Sequence, residues 1–146
     1  MEKRFETFTV LITKINRNIR KIKNQAMKEY GLKSPQISCL YFLYSNPLTA
    51  KELCERCEED KATISRSLDY LEKNGYLICK SESKKRYNAP FTLTEKGERA
   101  GKRIAEKITA VLCEISTGIS NEDRIIFYRS LNVISENIEK TAKSYK

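Results

Sequence analysis

The chain has 146 residues, with 28 Lys and Arg against 19 Asp and Glu and a net charge of +9 at pH 7. That length supports one domain with a genuine core, and that charge points to a polyanionic partner, nucleic acid before an anionic membrane surface. Histidine and tryptophan are absent, which removes the commonest general base and metal ligand together with every Ser-His-Asp or Cys-His arrangement.

Lys, Cys and carboxylate chemistry remain open, but there is no Gly-rich phosphate loop, carboxylate metal cluster or strand-turn-helix nucleophile to support a small enzyme. The expectation is therefore no enzyme, no metal and no cofactor. No apolar run approaches the roughly 18–20 residues that span a bilayer. The opening MEKRFETFTV lacks a signal-peptide apolar core. Five glycines and three prolines leave no linker between domains. These features predict a single-domain, soluble, cytoplasmic protein with no membrane association.

From Arg4 to about Lys28 the pattern predicts one long helix. Phe5, Phe8, Ile12, Ile15, Ile19 and Ile22 repeat at heptad spacing with Lys, Arg, Asn and Thr between them. So narrow a stripe suits packing against helices of a second subunit; burial within its own monomer fits it equally. Gly31 can cap this helix, and Pro35, with Ser34 ahead of it, suits the first turn of the next, which runs over Gln36 to Tyr44 and ends at Ser45-Asn46-Pro47. Ile37, Leu40, Tyr41 and Tyr44 fall at helical spacing. Tyr30, Tyr41 and Tyr44 either line a pocket for an aromatic or lipophilic effector or pack in the core with solvated hydroxyls.

The stretch Leu48 to Gly75, LTAKELCERCEEDKATISRSLDYLEKNG, reads as two short helices joined by a polar turn. Thr49 followed three residues later by Glu52 is a capping box. Asp60 can accept backbone N–H groups at the start of the second helix, whose positive end it also suits. Ile64, Leu68 and Leu71 face inward, leaving Ala62, Ser65, Arg66 and Asp69 on a small, polar and partly basic outer face. Asn74 or Gly75 closes the helix. Such a pair is either a solvated helical hairpin or a helix-turn-helix whose second member enters a DNA groove.

The segment after Gly75 favours the latter. Tyr76 to Lys80 and Pro90 to Leu93 read as two strands around a hydrophilic turn, Ser81 to Asn88, carrying Lys84, Lys85 and Arg86. A basic-tipped hairpin directly behind a helix-turn-helix is a wing. Its tip can reach phosphates or set Arg86 in a narrow minor groove, although charge at a hairpin tip can also be solvation alone. Thr94 caps a helix running to about Ser116 with Ile104, Ile108, Val111, Leu112 and Ile115 on one face. Ser120 to Asp123 opens the last helix, which repeats Phe127, Leu131, Ile134 and Ile138. The fold class is thus mainly α with a small two-stranded β-wing.

Over nearly its whole length the sequence resembles the MarR family of winged-helix regulators. The resemblance is most specific in LTAKELCERCEEDKATISRSLDYLEKNGYLICK and in LTEKG at Leu93 to Gly97. It implies six helices in a single domain over 1–146, with a winged helix-turn-helix DNA-binding core at about 35–97. The segments at about 1–30 and 98–146 would be the dimerisation helices, of which the first, fifth and sixth interlock in a homodimer.

Two readers would then meet a pseudo-palindromic double-stranded DNA operator. The family's members are typically repressors released by a small phenolic or lipophilic effector or by thiol oxidation. Lys61, Thr63, Ser65 and Arg66 would approach bases or phosphates. Gln36 and Thr49 are further candidate DNA contacts, and Lys84 and Lys85 join Arg86 at the wing. Where members usually carry an Asp two residues before the wing arginine, this chain has Lys84, a departure from which a differently held wing is expected.

Five cysteines, Cys39, Cys54, Cys57, Cys79 and Cys113, complete the pattern. Cys54 and Cys57 form a C-x-x-C, but one pair without a second and without histidine is a poor zinc site. Free thiols serving as small apolar residues are the default, with Cys54 and Cys57 as candidates for redox sensing. None lies on the first helix, where the family's peroxide sensors carry their thiol. Alternatives to an effector-released repressor are a thiol-based redox regulator and a winged-helix protein-interaction module without specific DNA binding. The exposed basic face around Ser65 and Arg66 argues against the interaction module.

Overall fold

A computed structural model describes residues 4–80 and 88–145. Among the described residues there are six α-helices and a two-stranded antiparallel sheet, as the sequence predicts. The helices are α1 (Arg4–Ala26), α2 (Ser34–Ser45), α3 (Ala50–Cys57), α4 (Lys61–Lys73), α5 (Glu95–Ile115) and α6 (Asn121–Ser144); the strands are β1 (Leu77–Cys79) and β2 (Phe91–Leu93). The chain divides into two compact units, Met1–Thr109 and Ala110–Lys146. No described helix is long and apolar enough to cross a membrane.

In the first unit α2 is the centre, packing on α4, α3, β2 and α1. Its buried residues, Ile37, Cys39, Leu40 and Leu43, meet Leu53 of α3, Ile64, Leu68 and Leu71 of α4, and Leu77, Phe91, Ala100 and Ile104 beyond. Each large aliphatic side chain so buried contributes about 1.5–3 kcal/mol to holding α3 and α4 on this base. The periodic residues 64, 68 and 71 are those that pack, so the amphipathic pattern sets which face of α4 looks outward.

Local signals place the ends. A 3-10 turn at Lys28–Tyr30 follows α1 and is closed by Gly31 at φ +61°, a conformation that suits glycine. Lys107 Nζ donates to Ala26 O and, at 2.9 Å, to Glu29 Oε1, tying this corner to α5. β1 and β2 pair with Leu77 opposite Leu93, Ile78 opposite Thr92 and Cys79 opposite Phe91. Leu48 adds a bridge to Phe91, whose N–H donates to Leu48 O at 2.8 Å. That bridge anchors the approach to α3 on the wing's returning strand.

The wing base is locked to α5 by Thr94, whose N–H donates to Tyr76 O at 3.0 Å and whose Oγ1 accepts from Gly97 N–H at 3.2 Å. Gly97 is required here, because a Cβ at this position would lie 1.9 Å from Tyr76 O. Lys96 lies over the Tyr76 ring at 4.3 Å and donates to Asn74 O at 2.7 Å, finishing the end of α4.

The helices α1 and α6 bury little of their apolar residues. Along α1 the stripe Ile12, Ile15, Ile19 and Ile22 is exposed, Ile15 by 51%, so burial within one chain does not account for the heptad. In the second unit, Ser120 caps α6 by accepting the Asp123 N–H at 3.1 Å. No residue of α6 is buried, and Ile126, Phe127, Ile134 and Ile138 stand exposed.

Candidate nucleic-acid interface

The helix-turn-helix is built from two caps and a tight turn. Thr49 Oγ1 accepts Glu52 N–H at 3.2 Å while Glu52 Oε2 accepts Thr49 N–H at 2.8 Å, completing the predicted capping box of α3. α3 ends at Glu58, which takes φ +53°, the left-handed conformation usually given to glycine or asparagine. Nothing in the sequence marks that residue for it. Asp60 then caps α4: its Oδ1 accepts Thr63 N–H at 2.6 Å. This bond, with Arg66 nearby, holds the Asp60 carboxyl below its ordinary range, and the Thr49 backbone bond does the same for Glu52.

The outer face of α4 carries Lys61, Ala62, Ser65, Arg66 and Asp69, all exposed. Thr63 is half-buried, and its Oγ1 accepts from Arg66 Nη2 at 3.4 Å, which rests the guanidinium along the helix start. Tyr70 extends this face and is 41% exposed; its helical spacing from Ala62, Thr63 and Arg66 is the signal that could have included it. The face is small near the N-terminus, with a basic reach at Arg66.

Other expected positions fall differently. Gln36 is only 8% exposed and its Oε1 accepts Lys33 N–H at 2.9 Å. It is therefore a buried capping group of α2 rather than an outward contact, and α2 begins at Ser34 with Lys33 as its cap. Thr49 is half-buried, and its Oγ1 is the acceptor of the α3 cap. Lys84, Lys85 and Arg86 lie outside the described residues. Tyr30 and Tyr41 pack half-buried against the core, Tyr41 edge-on to Phe42 at 5.2 Å. Tyr44 lies against Gly101, where a Cβ would come within 2.9 Å of its own Cβ.

A cavity of about 470 Å³ lies elsewhere, between α1, α2 and the end of α3. Ile19, Arg20, Lys23, Ser38, Cys57 and Glu59 line it, with Asn16, Ser34, Pro35 and Glu58, and none of the three tyrosines does. Lys23 Nζ donates to Ser38 Oγ at 2.7 Å. Cys57 is half-buried, and Cys39 of α2 is fully buried. Among the described residues no group of three or more Cys, Asp or Glu is arranged to hold a metal ion.

Comparison with known proteins agrees with this geometry. Residues 30–86 match the family model described as MarR family. The uncharacterized HTH-type transcriptional regulator YwoH of Bacillus subtilis is 30% identical over 121 residues, covering 80% of this chain and 88% of YwoH. A MarR family regulator from Neisseria meningitidis superposes with a TM-score of 0.79 at 20% identity, over 96% of this chain and 99% of that one. A Staphylococcus aureus MarR, solved in complex with salicylate and kanamycin, superposes with a TM-score of 0.80 at 21% identity, over 94% and 93%. The fold, the capped helix α4 and the sequence relatives together establish that this chain belongs to the MarR family of winged helix-turn-helix transcriptional regulators.

Proposed function

We propose that the protein is a transcriptional repressor that binds a pseudo-palindromic DNA operator as a homodimer through the outer face of α4. The observation that carries this is that face itself: Lys61, Ser65 and Arg66 stand exposed on a helix whose opposite side is fixed in the core by Ile64, Leu68 and Leu71. An α-helix so presented fits the major groove, where an arginine bidentate to a guanine discriminates by about 1–3 kcal/mol. A net charge of +9 supports the sequence-independent share of affinity, which phosphate neutralisation and counterion release supply.

The dimer is supported by apolar surface that one chain leaves uncovered, on α1 and on α6. With residues about 1–30 and 98–146 serving as its helices, two copies of α4 come to lie about 34–36 Å apart, one turn of the duplex. Thr63 serves this site as the rest for Arg66, and wing residues Lys84, Lys85 and Arg86 add contacts along the backbone. Release by a small aromatic effector is supported by the salicylate held by the S. aureus neighbour.

Selection of bound duplexes from a random pool tests the reading. Two inverted half-sites with centres about 10 base pairs apart are expected. No enrichment at low salt would leave the fold diverted to a protein partner. The same selected duplex, titrated with and without salicylate, tests effector release through loss of binding.

A further inference from the structure

The cavity of about 470 Å³ between α1, α2 and the end of α3 is lined by opposite charges on different elements, Arg20 and Lys23 from α1 and Glu58 and Glu59 from the turn after α3. We propose that it binds a zwitterionic ligand with amino-acid ends, a free amino acid or a dipeptide, whose carboxylate meets Arg20 and the start of α2 and whose ammonium meets Glu58 and Glu59. This goes beyond the DNA reading and is measured without DNA.

The two sets of charge are held apart. Arg20, Glu58 and Glu59 are exposed and line one cavity, yet among the described residues none of them forms an ion pair. The backbone fixes where they stand. Arg20 and Lys23 belong to one turn of α1, and Lys23 Nζ donates to Ser38 Oγ at 2.7 Å, tying that turn to α2. On the other side Glu58 takes φ +53°, and the N–H groups of Glu58 and Glu59 both donate to Cys54 O, the second at 3.3 Å. An ion pair between α1 and this turn would satisfy both charges; without one, both face a ligand.

The chemistry of the lining selects the class of ligand. An amino acid or peptide with free ends is charged at both at pH 7. Its carboxylate suits the paired donors of the Arg20 guanidinium, and the first turn of α2, at Ser34, adds a positive helix end. An ammonium has three hydrogens to donate, and Glu58 and Glu59 bring two carboxylates. A simple carboxylate would sit unpaired beside those acids, and a simple amine beside the two cations. Ile19, Pro35 and Cys57 leave an apolar stretch of wall for a small side chain, in a volume within the usual range for small-molecule sites.

A ligand so held bridges α1 to the turn between α3 and α4. The residue after Glu59 is Asp60, the cap of α4, so the occupant grips the chain one residue before that helix begins. Because it binds the folded arrangement and not the unfolded chain, it raises the melting temperature as its concentration rises.

The test is calorimetric titration of the full-length protein with L-leucine and with glycyl-L-leucine, beside two analogues that each lack one end: 4-methylpentanoate, without the ammonium, and 3-methylbutylamine, without the carboxylate. At least one zwitterion should bind with a dissociation constant below about 1 mM, and whichever binds tighter names the source, amino acid or peptide. Each one-ended analogue should bind at least about tenfold more weakly. Arg20→Gln should weaken the zwitterion by a similar factor without weakening 3-methylbutylamine, and Glu59→Gln should do so without weakening 4-methylpentanoate. No binding of either zwitterion up to about 10 mM overturns the proposal. So does 4-methylpentanoate or 3-methylbutylamine binding as tightly as the better zwitterion, or parental affinity in both variants. Because the analogue series needs only the parent protein, a variant that fails to fold leaves the proposal open to refutation.

Discussion

Replacing Gly97 by alanine probes the joint between α5 and the wing base. The added Cβ would sit 1.9 Å from Tyr76 O and 3.1 Å from Leu93 Cβ. The first partner is backbone, held in place because Tyr76 O also accepts Thr94 N–H at 3.0 Å. Relief requires α5 to move by more than an ångström from the wing base, an overpacking cost at the upper end of the usual range, about 3 kcal/mol. Against it stands about 1 kcal/mol gained by alanine over glycine in a helix.

The net expectation for Gly97→Ala is a loss of about 2 kcal/mol, a roughly 30-fold fall in the folding constant. For a chain of this length it lowers the melting temperature by about 6 °C. Gly101→Ala is the comparison: its added Cβ meets Tyr44 Cβ at 2.9 Å, a smaller overlap than 1.9 Å, although that atom moves only with the α2 backbone. Thermal and urea unfolding followed by far-UV circular dichroism read both variants. Gly97→Ala melting at or above the parent, or no lower than Gly101→Ala, refutes the close packing of α5 on Tyr76.

Three further outcomes are expected. Ile15→Lys, placed on the exposed stripe of α1, should convert a dimer to a monomer in sedimentation while leaving the helical spectrum unchanged; an unaltered dimer removes that stripe from the interface. Stability should fall as pH drops below about 4, because Asp60 and Glu52 hold their carboxyls below the ordinary range when folded, so the unfolded chain takes up protons first. Urea midpoints at pH 5 and pH 3 measure this fall, and Asp60→Asn should flatten it; an equal fall in both proteins dismisses the cap as a contributor. Lys107→Ala removes the donor to Ala26 O and Glu29, and should speed amide exchange over residues 27–31, with unchanged exchange there as the contrary result.

Much of this fold is legible locally because its boundaries are set by near neighbours. Thr49 with Glu52, Asp60 with Thr63, and Gly31 at positive φ each settle within a few residues, and the inward set of α4 follows from its period. Features that local pattern misses depend on distant residues or on a competing use of one side chain. Gln36 looks like a polar surface group, but its amide is drawn into the fold to cap Lys33.

The bridge from Leu48 to Phe91 joins residues far apart in sequence, and no short-range pattern announces it. The C-x-x-C groups Cys54 and Cys57 by spacing alone, whereas Cys57 lines a cavity with Lys23 and Ser38 of other helices. Glu58 adopts its left-handed turn without a glycine, because the geometry between two packed helices decides it.

The most direct measurement is fluorescence anisotropy of Arg66→Ala on the selected duplex, beside the parent at the same salt concentration. Arg66 is exposed and its guanidinium rests on the Thr63 hydroxyl at the helix surface, so the melting temperature should not change. The dissociation constant should rise by about 5- to 150-fold for each half-site, the equivalent of 1–3 kcal/mol. Equal affinity of variant and parent would contradict the placement of α4 in the groove.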